Sequence, residues 1–225
     1  MADIVMFGTG EGARLATRYF AEQGLHNIVA YVVDNNHRVE KRFLEAETIT
    51  LGELASRFPS NEVKIFVALG FRGMNGLRAA KYTEIKEMGY SFASYIDPSN
   101  KLPAETVIGE NCFILANQSI DRDVVIGNNV TMWSGCHVGD RSRIGNHVWM
   151  SSHVCLNGDV VIDSRCFLAS NCCISPNIKL AERSFIGANA LITADTSSGA
   201  VHVVSSTPAH PIADSERFMM MLRMS

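Results

Sequence analysis

From Ile108 to Ile192 the chain repeats every six residues, and no block slips. The block openers are Ile108, Ile114, Ile120, Ile126, Met132, Val138, Ile144, Met150, Leu156, Ile162, Leu168, Ile174, Leu180, Ile186 and Ile192, which makes 15 consecutive blocks opened by an aliphatic side chain. A period of six suits neither an amphipathic helix nor a simple alternating strand. It suits a short strand followed by a corner, with three blocks closing one triangular coil of a solenoid. Equivalent side chains then stack 18 residues apart, at the strand spacing of about 4.8 Å.

In such a coil the opener points inward. The fifth residue of each block also faces the interior, where three walls converge and slim side chains are needed. Those positions read Cys112, Gln118, Val124, Val130, Cys136, Ser142, Val148, Val154, Val160, Cys166, Cys172, Ile178, Ser184, Ala190 and Thr196, with Gln118 the single bulky polar residue. Gly109, Gly127, Gly139, Gly145, Asn157, Asp163 and Gly187 at second positions are expected to supply corners that use positive φ or tight local turns.

The chain has 225 residues, 47% of them hydrophobic, enough for two modules. A net charge of −3 and a pI near 6.2 give no drive towards nucleic acid. No apolar run reaches spanning length, so membrane insertion is not expected. The start MADIVMFGTG lacks the basic and apolar regions of a signal peptide. All six cysteines lie inside the repeat and none forms a CxxC pair, which together argue for a reduced, cytoplasmic protein without a metal.

Upstream, DIVMF at 3–7 leads into GTGEGA, a helix is expected over 11–23 with Gly24 as its C-cap, and a second strand at 28–33 ends at Asp34-Asn35-Asn36. This is the opening of a nucleotide-binding βαβ unit. Gly8, Gly10 and Gly12 would let a phosphate approach the helix N-terminus, and Asp34 stands where a ribose hydroxyl would be accepted. Ala13 occupies the place of the fingerprint's third glycine, so a tight turn without a ligand is the alternative reading. A short helix at 51–57, a strand at 63–69 ending at Gly70, a helix at 75–88 and a fourth strand at 91–96 complete an α/β domain over 1–97. A linker reaches residue 105, the solenoid spans 106–197, and 198–225 holds a Ser-rich loop and a short helix with Phe218, Met219 and Leu222, expected to cap the open coil.

The hexad pattern resembles the left-handed parallel β-helix of the hexapeptide-repeat acyltransferases. With GTGEGA, Asp34-Asn35, VALG, CISPNIKLAERSFIGANALIT and TPAHPI, the chain resembles the sialic-acid and bacillosamine type of sugar acetyltransferases over nearly its whole length. The resemblance implies a Rossmann-like domain holding a nucleotide-linked amino sugar through Gly8, Gly10, Gly12, Asp34, Asn35 and Gly70. It implies acetyl-CoA, or another acyl-CoA, along the β-helix against Trp149, Gly158 and Ala188. It also implies a cytoplasmic homotrimer with sites between neighbouring β-helices, and a role in surface polysaccharide or glycan assembly.

In register, the family's catalytic His-acid pair falls on Asp140-Arg141, its donor-contacting histidine on Trp149 and its acceptor-side asparagine on Trp133. The glycine whose N–H steadies the oxyanion is kept as Gly158. A carboxylate is a weaker base than an imidazole near neutral pH. His137, His147 and His153 all occupy outward positions. His137, paired with Asp140 around the corner, or His153 alone, is a candidate to restore the base. Phe113, Thr131, Trp149, Phe167 and Phe185 form a second outward column, expected to mark subunit packing or the path of the pantetheine arm.

Three functional classes follow. The first is acyl transfer from CoA to the amine or hydroxyl of a nucleotide-linked sugar. The second is a non-catalytic sugar-nucleotide binder or scaffold, favoured by the missing histidine. The third is a metal hydratase like the γ-type carbonic anhydrases, whose two same-chain histidines lie five apart; here the histidine spacings are ten and six.

Overall fold

The computed structural model describes residues 2–37, 41–209, 211 and 214–222. The N-terminal sheet is built from β1 (Ala2–Phe7), β2 (His26–Val33), β3 (Arg42–Phe43), β4 (Ala46–Thr50) and β5 (Val63–Val67), ordered β3-β4-β2-β1-β5. All its ladders are parallel except β3 with β4. Helices α1 (Glu11–Gln23), α2 (Leu51–Arg57) and α3 (Gly76–Glu87) complete the domain, and α1 ends at Gly24 in the left-handed conformation expected of a C-cap. The β3–β4 hairpin lies in a stretch whose polar composition gives no strand signal.

The expected fourth strand divides its allegiance. Ile65 donates to Ser91 O and Ala93 to Ile65 O, a single bridge onto β5. Two residues later β6 (Tyr95–Ile96) joins the solenoid, with Tyr95 N donating to Cys112 O. The chain therefore passes from one domain to the other inside a single extended segment.

The solenoid is a left-handed parallel β-helix of two-residue strands with three faces. The docking face carries β6, Phe113–Ile114, Thr131–Met132, Trp149–Met150, Phe167–Leu168, Phe185–Ile186 and Val201–His202. The open face carries Ser119–Ile120, His137–Val138, Cys155–Leu156, Cys173–Ile174 and Leu191–Ile192, and the third runs from Val107–Ile108 to Lys179–Leu180. Each residue pairs with the one 18 positions on, as Thr131 with Trp149 and Trp149 with Phe167. Every opener from Ile114 to Ile192 is at most 6% exposed, and these side chains form one continuous core.

The corners differ from the sequence expectation. Positive φ falls at the fourth position of each block, from Asn111 to Asn189, where φ lies between 55° and 62° for every non-glycine residue. The second-position glycines answer a different demand. A Cβ on Gly109, Gly127, Gly139 or Gly145 would come within 2.3–2.7 Å of the next coil. They are small because coils touch there. Third-position side chains form corner rungs: Asn128 Oδ1 accepts from Glu110 N at 2.9 Å, Asn146 Oδ1 from Asn128 N at 2.8 Å, and Asp140 Oδ1 from Arg122 N at 3.1 Å.

At the far end, residues 195–202 satisfy the last coil, with Val201–His202 pairing on Phe185–Ile186. Asp195 Oδ1 accepts from Lys179 N at 2.8 Å, and Thr196 Oγ1 lies 2.9 Å from Ala181 N and 2.7 Å from Ser184 Oγ. Helix α4 spans Ser215–Leu222, with Phe218 half-buried and Met219, Met220 and Met221 about half exposed or more. His210 and Ile212 of the TPAHPI segment, and the Leu222 side chain, lie outside the described residues.

Candidate functional site

The glycine loop between β1 and α1 opens a cavity of about 350 Å³ lined by Phe7, Gly8, Thr9, Gly10, Val33, Asp34, His37, Leu69 and Leu77. The expected loop residues gather here, but for different reasons. Gly8 has φ +114° and a Cβ on it would lie 3.3 Å from Ala68 O. Gly12 faces the same carbonyl at 3.0 Å, so its smallness serves packing between α1 and the end of β5. Gly10 has open space around it, which makes it the glycine that leaves room for a ligand. Asp34 is ion-paired with Lys81 of α3, whose ammonium also meets Glu84 at 2.7 Å. Asn35 turns away from the cavity, and its Oδ1 accepts from Gly52 N at 2.7 Å, satisfying the first turn of α2. Gly12 and Gly70 line a smaller apolar space of about 60 Å³ shared with Phe113, Thr131, Trp133 and Trp149.

That space lies where the two domains meet. The aromatic column expected on an outer surface is covered by the chain's own N-terminal domain. Tyr19, Phe66 and Tyr95 pack on Phe113, while Phe71 packs on Trp149 and Phe167. Trp149 therefore sits on the docking face, away from the open one. Arg78 of α3 anchors the joint at 2% exposure and donates to Asn129 O and Oδ1, Asn75 Oδ1 and His147 O. No carboxylate is among these acceptors, and burial lowers its pKa to about 10. His147 is held beneath Tyr82 with Nδ1 2.8 Å from Asn129 Nδ2, and burial, then the charges of Arg78 and Arg165, push its pKa down to about 4. This histidine is a structural part of the joint.

The open face carries the remaining candidates. Its outward column reads Ser119, His137, Cys155, Cys173, Leu191. His137 Nδ1 lies 3.3 Å from Ser119 Oγ, and Nε2 lies 3.9 Å from Asp121 Oδ2, with the imidazole 38% exposed. Its acidic neighbour is therefore Asp121 and not Asp140, which is engaged in the corner rung to Arg122; Arg141 beside it pairs with Asp159 at 2.6 Å. Asp121 was legible in principle, because it lies 18 residues before Gly139 and so one coil below the residue two beyond His137. His153, also exposed, stands at the corner bordering this face with its ring across Gly135, where a Cβ would lie 2.4 Å from Nδ1. Ala188 is exposed on the same edge, 54 residues beyond Ser134 and so three coils along from the level of His137.

Gly158 lies on the opposite corner, where a Cβ would be 3.6 Å from Asp140 O. On this corner the third-position N–H of Arg122 is taken by the Asp140 side chain one coil on. One coil beyond Asp140 and Gly158 stand Gly158 and Pro176, neither of which has a side-chain acceptor to offer the N–H below it. Among the described residues no group of three or more His, Cys, Asp or Glu side chains is arranged to hold a metal ion. No helix among them is long and apolar enough to cross a membrane.

Residues 105–140 match the family described as bacterial transferase hexapeptide (six repeats). The six-residue period covered by that match continues without a slip to Ile192. A comparison with curated protein sequences finds no match. Among solved structures, the chain is similar to the acetyltransferase domain of PglB from Neisseria gonorrhoeae, with TM-score 0.76 and 17% identity over 89% of this chain and 96% of that one. It is similar to PerB from Caulobacter crescentus in complex with CoA and GDP-perosamine, with TM-score 0.75 and 20% identity over 91% and 93%. WeeI from Acinetobacter baumannii matches with TM-score 0.58 and 12% identity over 89% and 96%. Each match spans both domains of this chain, so the shared fold includes the N-terminal sheet as well as the coils.

Proposed function

We propose that this protein transfers an acetyl or related acyl group from acyl-CoA to the amine or hydroxyl of a nucleotide-linked sugar. The observation that carries the reading is the pairing, in one chain, of a glycine-loop cavity with an open β-helix face bearing an imidazole beside a carboxylate. The neighbours in which this architecture recurs include an acetyltransferase domain and a protein bound to CoA and GDP-perosamine.

In this reading the cavity around Gly8, Thr9, Gly10 and Asp34 takes the nucleotide, while Gly12 and Gly70 shape the passage towards the coils. His137 takes the proton from the attacking amine or hydroxyl, and Asp121 favours the imidazolium that results. Gly158 N–H donates to the oxyanion formed at the thioester carbonyl. The acyl donor lies along the open face, whose edge carries His153 and Ala188. Asp140 shapes the corner next to Gly158 and is not the base. A cytoplasmic homotrimer, with the open face completed by a neighbouring subunit, and a role in surface glycan assembly belong to the same reading.

The test is CoA release, followed by chromatography, from acetyl-CoA and a panel of nucleotide-linked amino sugars. His137→Ala is expected to lower kcat/KM by about 10²–10⁴-fold. Full activity of both His137→Ala and His153→Ala would remove these histidines from the chemistry. Binding of a nucleotide sugar without any CoA release would favour the non-catalytic binder instead.

A further inference from the structure

The six cysteines of the chain fall into two groups. Cys112, Cys136, Cys166 and Cys172 face inward, are fully or almost fully buried, and have thiols pushed up by that burial to about 11, 11, 11 and 12. Such thiols behave as small hydrophobes. Cys155 and Cys173 face outward on the open face and are only half-buried. They are direct partners in the parallel ladder, Cys155 beside Cys173 on successive coils.

That register places their α-carbons at the interstrand spacing of about 4.8 Å, inside the roughly 4.4–6.8 Å range that a disulfide spans. Their β-carbons, held parallel, start a little beyond the separation a relaxed disulfide prefers, so closure needs a small approach and leaves the bond strained. The Cys173 sulfur is also held in place, because Asn157 Nδ2 donates to it at 3.7 Å. On the other side of Cys155, the next partner in the same column is His137.

We infer that Cys155 and Cys173 form a redox-active dithiol on the open face, oxidised to an intramolecular disulfide by a low-molecular-weight disulfide such as oxidised glutathione. The Cys173 thiolate attacks one sulfur of the reagent, forming a mixed disulfide and expelling the first thiolate. Cys155, deprotonated, then attacks the Cys173 sulfur and expels the second. Two protein thiols and one disulfide become one protein disulfide and two small thiols, with no other oxidant required. Because the bond is strained, dithiothreitol reverses it readily.

The experiment uses the native full chain. It is incubated with oxidised glutathione, quenched by acid, denatured, alkylated with iodoacetamide and analysed by mass spectrometry. The expected result is the loss of two of the six alkylatable thiols, with a linkage joining the peptides that contain Cys155 and Cys173, and recovery of all six after dithiothreitol. Cys155→Ser is expected to stop at a glutathione adduct on Cys173. Retention of all six free thiols in the wild type, a stable adduct that never resolves, or a linkage through Cys172 would overturn the inference. These readouts do not depend on acyl transfer. Loss of CoA release on oxidation, spared when Cys155 and Cys173 are both replaced by Ser, is expected in addition and rests on the proposed function, so failure of that reading leaves the disulfide result standing.

Discussion

Lowering the pH should loosen the joint between the two domains through one histidine. The network around His147 fixes its state. Asn129 Oδ1 is already the acceptor for Asn111 Nδ2 at 2.7 Å and for Arg78 at 3.0 Å, so the amide nitrogen of Asn129 must face His147. Nδ1 of His147 therefore accepts, and it cannot do so once protonated. Burial and two neighbouring guanidinium groups also oppose the imidazolium, which brings the pKa from 6.5 down to about 4.

In the unfolded chain the ring takes its proton first as pH falls. The stability it contributes is thus intact above about pH 6.5 and is lost progressively towards pH 4. A displacement of this size corresponds to about 3 kcal/mol. Because part of the ring reaches solvent, about 1–2 kcal/mol is the expected loss. His147→Asn isolates the effect, since Asn111 and Asn129 hold the same corner and the same positive φ in the preceding coils. Urea unfolding of both proteins at several pH values between 7.5 and 4.5 should give a parent whose stability falls by about 1–2 kcal/mol more than that of the variant. Equal slopes would refute the assignment of His147 as the titrating group.

Other outcomes follow from the same geometry. Arg78→Lys keeps the charge but loses the fork that reaches several acceptors, and should cost on the order of 2 kcal/mol in denaturant melts. Gly127→Ala would set a Cβ 2.6 Å from Asn146 Oδ1 and 2.9 Å from the Gly145 carbonyl carbon, so a thermal melt should show about 1–3 kcal/mol lost or an insoluble product. Gly10→Ala, with open space around it, should change stability by no more than about 1 kcal/mol while weakening nucleotide-sugar binding measured by calorimetry. Asp121→Asn should lower kcat for CoA release with little change in the KM for acyl-CoA, because its carboxylate acts on the imidazolium and not on the donor.

The coils were legible in the sequence because each block obeys one rule without exception, so the register could be read by counting. The same counting places Asp121 near His137, although that needs the neighbour one coil down as well as the residues around the corner. The corner glycines were located correctly, but their cause was not. A six-residue pattern does not separate a residue that needs positive φ from one that must be small, and only the approach of Asn146 to Gly127 or of Asn157 to Gly139 distinguishes the two. The covered aromatic column was beyond reach of periodicity. An outward side chain reads the same whether a neighbouring molecule or the chain's own α/β domain lies over it, and Phe71, which makes the contact with Trp149, stands outside the repeat. The β3–β4 hairpin escaped notice because its sequence, Arg42–Phe43 and Ala46–Thr50, is too short and too polar to alternate clearly.

The unbroken hexads also make the solenoid behave like a text with a reading frame. Deleting one residue within a coil would turn every later opener outwards and bring the later second- and sixth-position residues into the core. Inserting six would keep the core intact and yet turn all later coils by one face. Placed between Cys155 and Phe167, such an insertion would take Phe167 and Phe185 off the docking face, and Cys173 would no longer follow Cys155. Inserting 18, one whole coil by the observed pairing, would preserve every face and only lengthen the molecule. Insertions within the repeat should therefore be tolerated in a ladder of three grades, with whole coils the mildest, single blocks next and single residues the most damaging.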